Sequence, residues 1–184
     1  MSNNARNNEG SIMINHAEMV RTLAKTGEAI LAEMTPKKCA LIHMSACIME
    51  EVGELIDGVN ANMLENPNIL EESGDVEFYF EGLVQELELE LDVKHVNLCS
   101  LLMLSVAAAD LYGSLKPHLF YNKPLDLSVV TFRAAKFRET LSGVYLMLSI
   151  SEAEAKAANI EKLGKRYEGF KYSNASAVAR ADKV

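Results

Sequence analysis

A chain of 184 residues has room for one domain-sized core and can fold without disulfide or metal staples. Ten Gly and four Pro are too few turn-formers for a many-stranded sandwich or barrel, and 49% apolar against 24% charged residues is ordinary globular composition. The formal net charge of −8 gives no long-range attraction to phosphate backbones, which argues against nucleic acid or an anionic membrane as the main partner.

In chain order, the Asn-rich opening (1–12) has little to bury and reads as a flexible tail. From Met13, apolar residues recur at roughly helical spacing (Ala17, Val20, Leu23, Ile30, Leu31) up to Thr35-Pro36, a cap followed by proline at the first helical position. That punctuation predicts a helix from Pro36 to about Asn60, and Asn66-Pro67 launches another through Leu87. A further helix is expected from Leu91 to about Leu115, ending near Pro117. Its run Leu98 to Ala109 is too short for a bilayer, which takes about 20 residues, and reads as a buried helix. Lys116 to Asp126 reads as a loop with Asp126 capping a helix over Leu127 to Ile150, and a last helix ends near Tyr167. Strand alternation is poor throughout, so the expected fold class is all-α.

Two acidic clusters share one spacing. Glu51 with Glu54, and Glu72 with Asp75, are each three residues apart, so each pair projects from one face of its helix. An antiparallel hairpin of the two helices would bring both pairs together. Four converging carboxylates repel unless a cation lies between them, and an all-oxygen donor set without Cys or His suits a hard ion, Mg²⁺ or Mn²⁺. Gly53 and Gly74 inside the clusters suggest close approach by a backbone or ligand. The competing reading is a pair of solvated acidic faces. Of the remaining residues, Cys39, Cys47 and Cys99 read as reduced, buried thiols, His43 and His95 as isolated groups, and Phe78 to Phe80 as core or pocket aromatics. Reduced thiols and the absence of a secretory leader lead to an expected cytoplasmic location.

MEEVGELIDGV (Met49 to Val59), LEESGDVEFYF (Leu70 to Phe80) and NIEKLGKRYEGF (Asn159 to Phe170) together resemble the three motifs of the MazG-like all-α nucleotide pyrophosphohydrolases, relatives of the dimeric dUTPases and phosphoribosyl-ATP pyrophosphohydrolases. The resemblance implies a helical bundle and Mg²⁺-dependent cleavage of a nucleoside triphosphate, with a dNTP as the expected substrate, to the monophosphate and pyrophosphate. It puts Glu51, Glu54, Glu72 and Asp75 at metal-ligand positions and makes Glu50 the candidate for orienting or deprotonating water. It also makes Asn159, Lys162 and Arg166 candidate phosphate or nucleotide contacts. The long middle of the chain is read as a diverged repeat, with Ala107, Asp110, Glu139 and Ser142 where the first half has its four carboxylates; the alternative is an ordinary helical insertion. On that reading 13–184 is a single all-α domain. Its metal-binding half is 13–95 and its diverged half is 96–184, so that the chain is either a monomeric pseudodimer or a homo-oligomer. A non-catalytic helical binding or assembly module, or a hydrolase of another phosphoanhydride such as an alarmone nucleotide, are the alternatives.

Overall fold

A computed structural model describes residues 14–61, 67–94 and 96–183, which are helical with no strand among them. The tail at 1–12, the turn around 62–66 and His95 lie outside the described residues. The chain divides into two compact units, before and after the boundary at Glu33 and Met34.

The first unit holds α1 (His16–Leu23) and α2 (Gly27–Leu31), neither of which buries a residue. The helical periodicity is broken here by a local competitor. The Thr26 hydroxyl accepts the Ala29 N–H at 3.2 Å and starts a new helix at Gly27, while Asn15 caps α1 in the same way.

In the second unit, α3 (Pro36–Asn60) and α4 (Pro67–Glu86) start at the Pro positions that the sequence marks. The Thr35 hydroxyl accepts the Lys38 N–H at 3.2 Å, supporting the first turn of α3. Space beside Gly82 is filled by Met44, while Glu51 meets Glu72 and Asp75, so the two helices run antiparallel. The second hairpin is α5 (Leu101–Tyr121) with α6 (Leu127–Leu148), and α7 (Glu152–Arg166) returns along α4. A short 3₁₀ turn (Glu168–Phe170), α8 (Asn174–Ala179) and a last 3₁₀ turn (Ala181–Lys183) complete the chain.

The core is a set of helical stripes: Leu41, Ile48, Val52 and Leu55 from α3, Val76, Phe80 and Leu83 from α4, Leu104, Leu111 and Leu115 from α5, and Phe137, Leu141 and Val144 from α6. Phe80 and Phe137 join the two hairpins with ring centroids 4.9 Å apart.

Several boundaries differ from the sequence reading. Helix α5 begins at Leu101, not Leu91, because the Ser100 hydroxyl accepts the Met103 N–H; residues 96–100 are extended, and the Cys99 N–H bonds Gly143 O at 3.3 Å. It continues through Pro117 to Tyr121, since burial of Leu115 and Leu119 on either side outweighs one missing ladder bond. The run Leu98 to Ala109 is not a buried helix: Leu102 is 74% and Val106 55% exposed. Cys39 is exposed, not buried, while Cys47 and Cys99 are half-buried. The α6–α7 junction is sharp, with Ser149 left-handed (φ 57°) and Ser151 forming a reciprocal capping box with Glu154. No helix among the described residues is long and apolar enough to cross a membrane.

Candidate functional site

The face shared by α3 and α4 brings Glu51, Glu72 and Asp75 together, each offering a carboxylate oxygen within 4.8 Å of the others. Helical spacing accounts for this. Glu72 and Asp75 lie one turn apart on α4, and the antiparallel pairing sets Glu51 opposite them. Glu54 stays exposed and outside this trio, yet close enough for its charge to act on both Glu51 and Glu72. Three of the four expected carboxylates therefore converge and the fourth flanks them. Glu50 is exposed at the rim.

Crowding is visible in the proton affinities. Burial, followed by the charges of Asp75, Glu54 and Glu72, pushes the Glu51 carboxyl up to about 8. Glu72 is pushed upward by burial and then by Glu54 and Asp75. At neutral pH the metal-free site therefore keeps Glu51 mostly protonated, because its surroundings do not accommodate three ionised carboxylates.

Helix α7 completes the site, and Gly74 makes this possible. A Cβ at Gly74 would stand 2.6 Å from Ala155 O and 2.8 Å from Asn159 Cβ, so α7 can reach Asp75 only because that position has no side chain. Gly53 has open space around it and no equivalent role. With α7 this close, Asn159 donates from Nδ2 to Asp75 Oδ1 at 2.8 Å, and the Lys162 ammonium bonds Asp75 Oδ2 and lies 2.8 Å from Glu71 Oε1. Burial alone would lower the Lys162 pKa, but its bonds to Asp75 and Glu71 outweigh that and hold it above the ordinary lysine value. Arg166 is engaged elsewhere. Its guanidinium grips the Asp182 carboxylate through two bonds of 2.6 Å, and this pairing draws the Asp182 carboxyl down to about 2.

These groups line a cavity of about 780 Å³ with two unlike walls. One, from α3 and α4, carries Glu50, Glu51, Glu54, Glu71, Glu72 and Asp75. The other, from α7 and the chain's end, carries Lys162, Arg166, Tyr167, Phe170, Tyr172 and Arg180. His43, Phe78 and Tyr79 extend the acidic wall, with Tyr79 edge-on to both His43 and Phe78. Phe80 belongs to the core. Burial, followed by the charges of Cys47 and Glu51, raises the Tyr79 hydroxyl pKa, so it remains a neutral donor.

The sequence reading missed a second ionic assembly behind this wall. Glu77, 2% exposed, accepts two bonds from Arg138 at 2.6 and 2.8 Å and one from the Tyr145 hydroxyl at 3.0 Å. The Arg138 guanidinium also lies 4.7 Å from the centre of the Phe80 ring. Glu77 belongs to the same acidic run as Asp75, and only its place on the inward stripe, one residue from Val76, distinguishes it.

An all-oxygen trio beside a lysine, inside a cavity of this size, is chemically suited to a hard divalent cation and a phosphorylated ligand. No protein-family profile matches the chain, and neither a curated protein nor a solved structure is detectably similar to it.

Proposed function

We propose that this chain hydrolyses a nucleoside triphosphate, with a dNTP as the expected substrate, to the monophosphate and pyrophosphate with Mg²⁺ or Mn²⁺ as cofactor. The observation that carries the proposal is the convergence of Glu51, Glu72 and Asp75 within 4.8 Å in a large cavity. Those three residues would hold the ion, with Glu54 reaching it directly or through water. The donor set fits, because it is all oxygen and because the raised Glu51 pKa marks a place where added positive charge is favourable. A bound Mg²⁺ would neutralise phosphate charge and acidify water.

The remaining roles belong to the chain's own residues. Asn159 fixes the Asp75 carboxylate by its 2.8 Å bond. Lys162 neutralises Asp75 and Glu71 in the metal-free protein, and it is placed to turn to substrate phosphate once a cation takes over that duty. Glu50, exposed at the rim, accepts the proton of the attacking water. The water oxygen adds to the α-phosphorus, the bond to the α–β bridging oxygen breaks, and pyrophosphate departs with those electrons. The diverged-repeat reading of α5 and α6 is part of the same proposal, with the second hairpin completing the bundle.

The test is a Mg²⁺ titration followed by product identification over a panel of dNTPs, NTPs and guanosine tetraphosphate. The expected result is saturable Mg²⁺ binding and pyrophosphate release from dNTPs. No Mg²⁺ binding and no turnover would favour the non-catalytic module, and selective turnover of the tetraphosphate would move the assignment to alarmones.

A further inference from the structure

The basic residue that the closing motif offers for phosphate, Arg166, is already held by Asp182 through both of its bonds. Arg180 lines the same cavity, is exposed, and has no ion pair or side-chain hydrogen bond among the described residues. Two rings of the same cavity wall are not used by the core. Phe170 is 67% and Tyr172 73% exposed, yet both line the cavity.

The backbone supports a purpose for this arrangement. Phe170 has a positive φ of 53°, which a bulky residue seldom adopts, whereas Gly169 (62°) adopts it freely and Arg180 (47°) is the left-handed C-cap of α8. The strained residue keeps most of its ring in solvent at the cavity wall, and backbone strain of this kind concentrates at ligand sites. The Phe170 ring lies over Gly164 of α7, where a Cβ would come within 3.3 Å of it, so the ring has a defined seat. The Arg166–Asp182 pair ties the end of the chain to α7 and keeps this segment against the cavity.

We propose that residues 167–180 form the nucleotide-recognition wall of the site. Arg180, not Arg166, supplies the guanidinium for the phosphate chain, and Phe170 with Tyr172 supplies ring faces on which the base stacks. This inference rests on the nucleoside triphosphate reading of the cavity and adds the residues that would select such a ligand. A guanidinium suits the phosphate oxygens, and ring stacking tolerates any base because every base has a π-face.

The experiment is calorimetric binding of the four α,β-imido dNTPs and of inorganic tripolyphosphate, each with Mg²⁺, to the full chain and its variants. Arg180→Ala is expected to weaken both nucleotides and tripolyphosphate about tenfold, with partial recovery in Arg180→Lys. Phe170→Ala is expected to weaken the nucleotides about tenfold and leave tripolyphosphate unchanged, a split that a merely structural role would not produce. Both side chains are exposed, so unchanged thermal unfolding serves as the folding control. Wild-type binding with neither variant affected, or tripolyphosphate lost on Arg166→Ala and retained on Arg180→Ala, overturns this inference alone. Wild-type protein that binds neither nucleotide nor tripolyphosphate overturns it together with the proposed function.

Discussion

The two hairpins of the second unit handle charge in opposite ways. Between α3 and α4, Glu51, Glu72 and Asp75 crowd together with Lys162 and Asn159 as their neighbours. Between α5 and α6 lies a groove of about 380 Å³ lined by Ala107, Asp110, Arg133 and Lys136. There the acids are matched one for one: Arg133 bonds Asp110 at 2.7 Å and Lys136 bonds Glu139 at 2.5 Å. The first hairpin crowds carboxylates and relieves them by raised proton affinity and Lys162, whereas the second pairs each acid with a base, so the proposed cation site falls to the first.

Four substitutions and one titration can break or sharpen that contrast. The largest stability effect is expected from Arg138→Ala, which strands Glu77 in the core. Losing one partner of a buried pair costs about 3–5 kcal/mol, read from denaturant unfolding. For catalysis, Glu51→Gln is expected to lower kcat/KM about a hundredfold or more, about 3 kcal/mol of transition-state stabilisation, while the protein stays folded. Gly74→Ala is expected to cost about 1–3 kcal/mol in stability, because the obstacle is the Ala155 backbone oxygen, and to weaken Mg²⁺ binding as α7 draws back from Asp75. At the small end, Asp110→Asn removes an exposed pair worth about 0–1 kcal/mol and should leave the proposed hydrolysis unaffected.

The titration concerns Glu51. Its folded carboxyl holds a proton up to about pH 8, against 4.5 for an ordinary glutamate, so the folded state binds more protons than the unfolded state across that window. Stability from this group is complete below 4.5 and is lost as pH rises towards 8. The metal-free protein should therefore lose Tm over that range, less so as Glu51→Gln, while Mg²⁺ affinity increases over the same range because the ion requires the ionised form. Differential scanning calorimetry at several pH values, with and without Mg²⁺, measures both slopes.

Much of this was legible in the residues. The Thr35-Pro36 and Asn66-Pro67 signals gave the starts of α3 and α4, and three-residue acidic spacing gave their shared face, because capping and helical periodicity are local. The start of α5 was hidden because the apolar residues Val96 and Leu98 precede the true cap, Ser100, and look like the helix itself. Long-range partners left no local signal. The Arg166–Asp182 pair depends on the chain turning back after Phe170, and the burial of Glu77 depends on Arg138, 61 residues away, arriving with two bonds. Asp75 illustrates the cost of that blindness. Spacing alone casts it as one more repelling acid, but it accepts bonds from both Asn159 and Lys162, so Asp75→Asn disturbs a packed junction as well as the proposed cation site.

The seat that Gly74 makes for α7 also sets a timetable. Asn159 and Lys162 lie 84 and 87 residues beyond the aspartate they secure, so during synthesis on the ribosome the acidic hairpin emerges long before its cationic neighbour exists. A nascent chain halted after α6 carries the full set of acids with nothing from α7 to restrain them, and the arrangement around Asp75 closes only once α7 has been made.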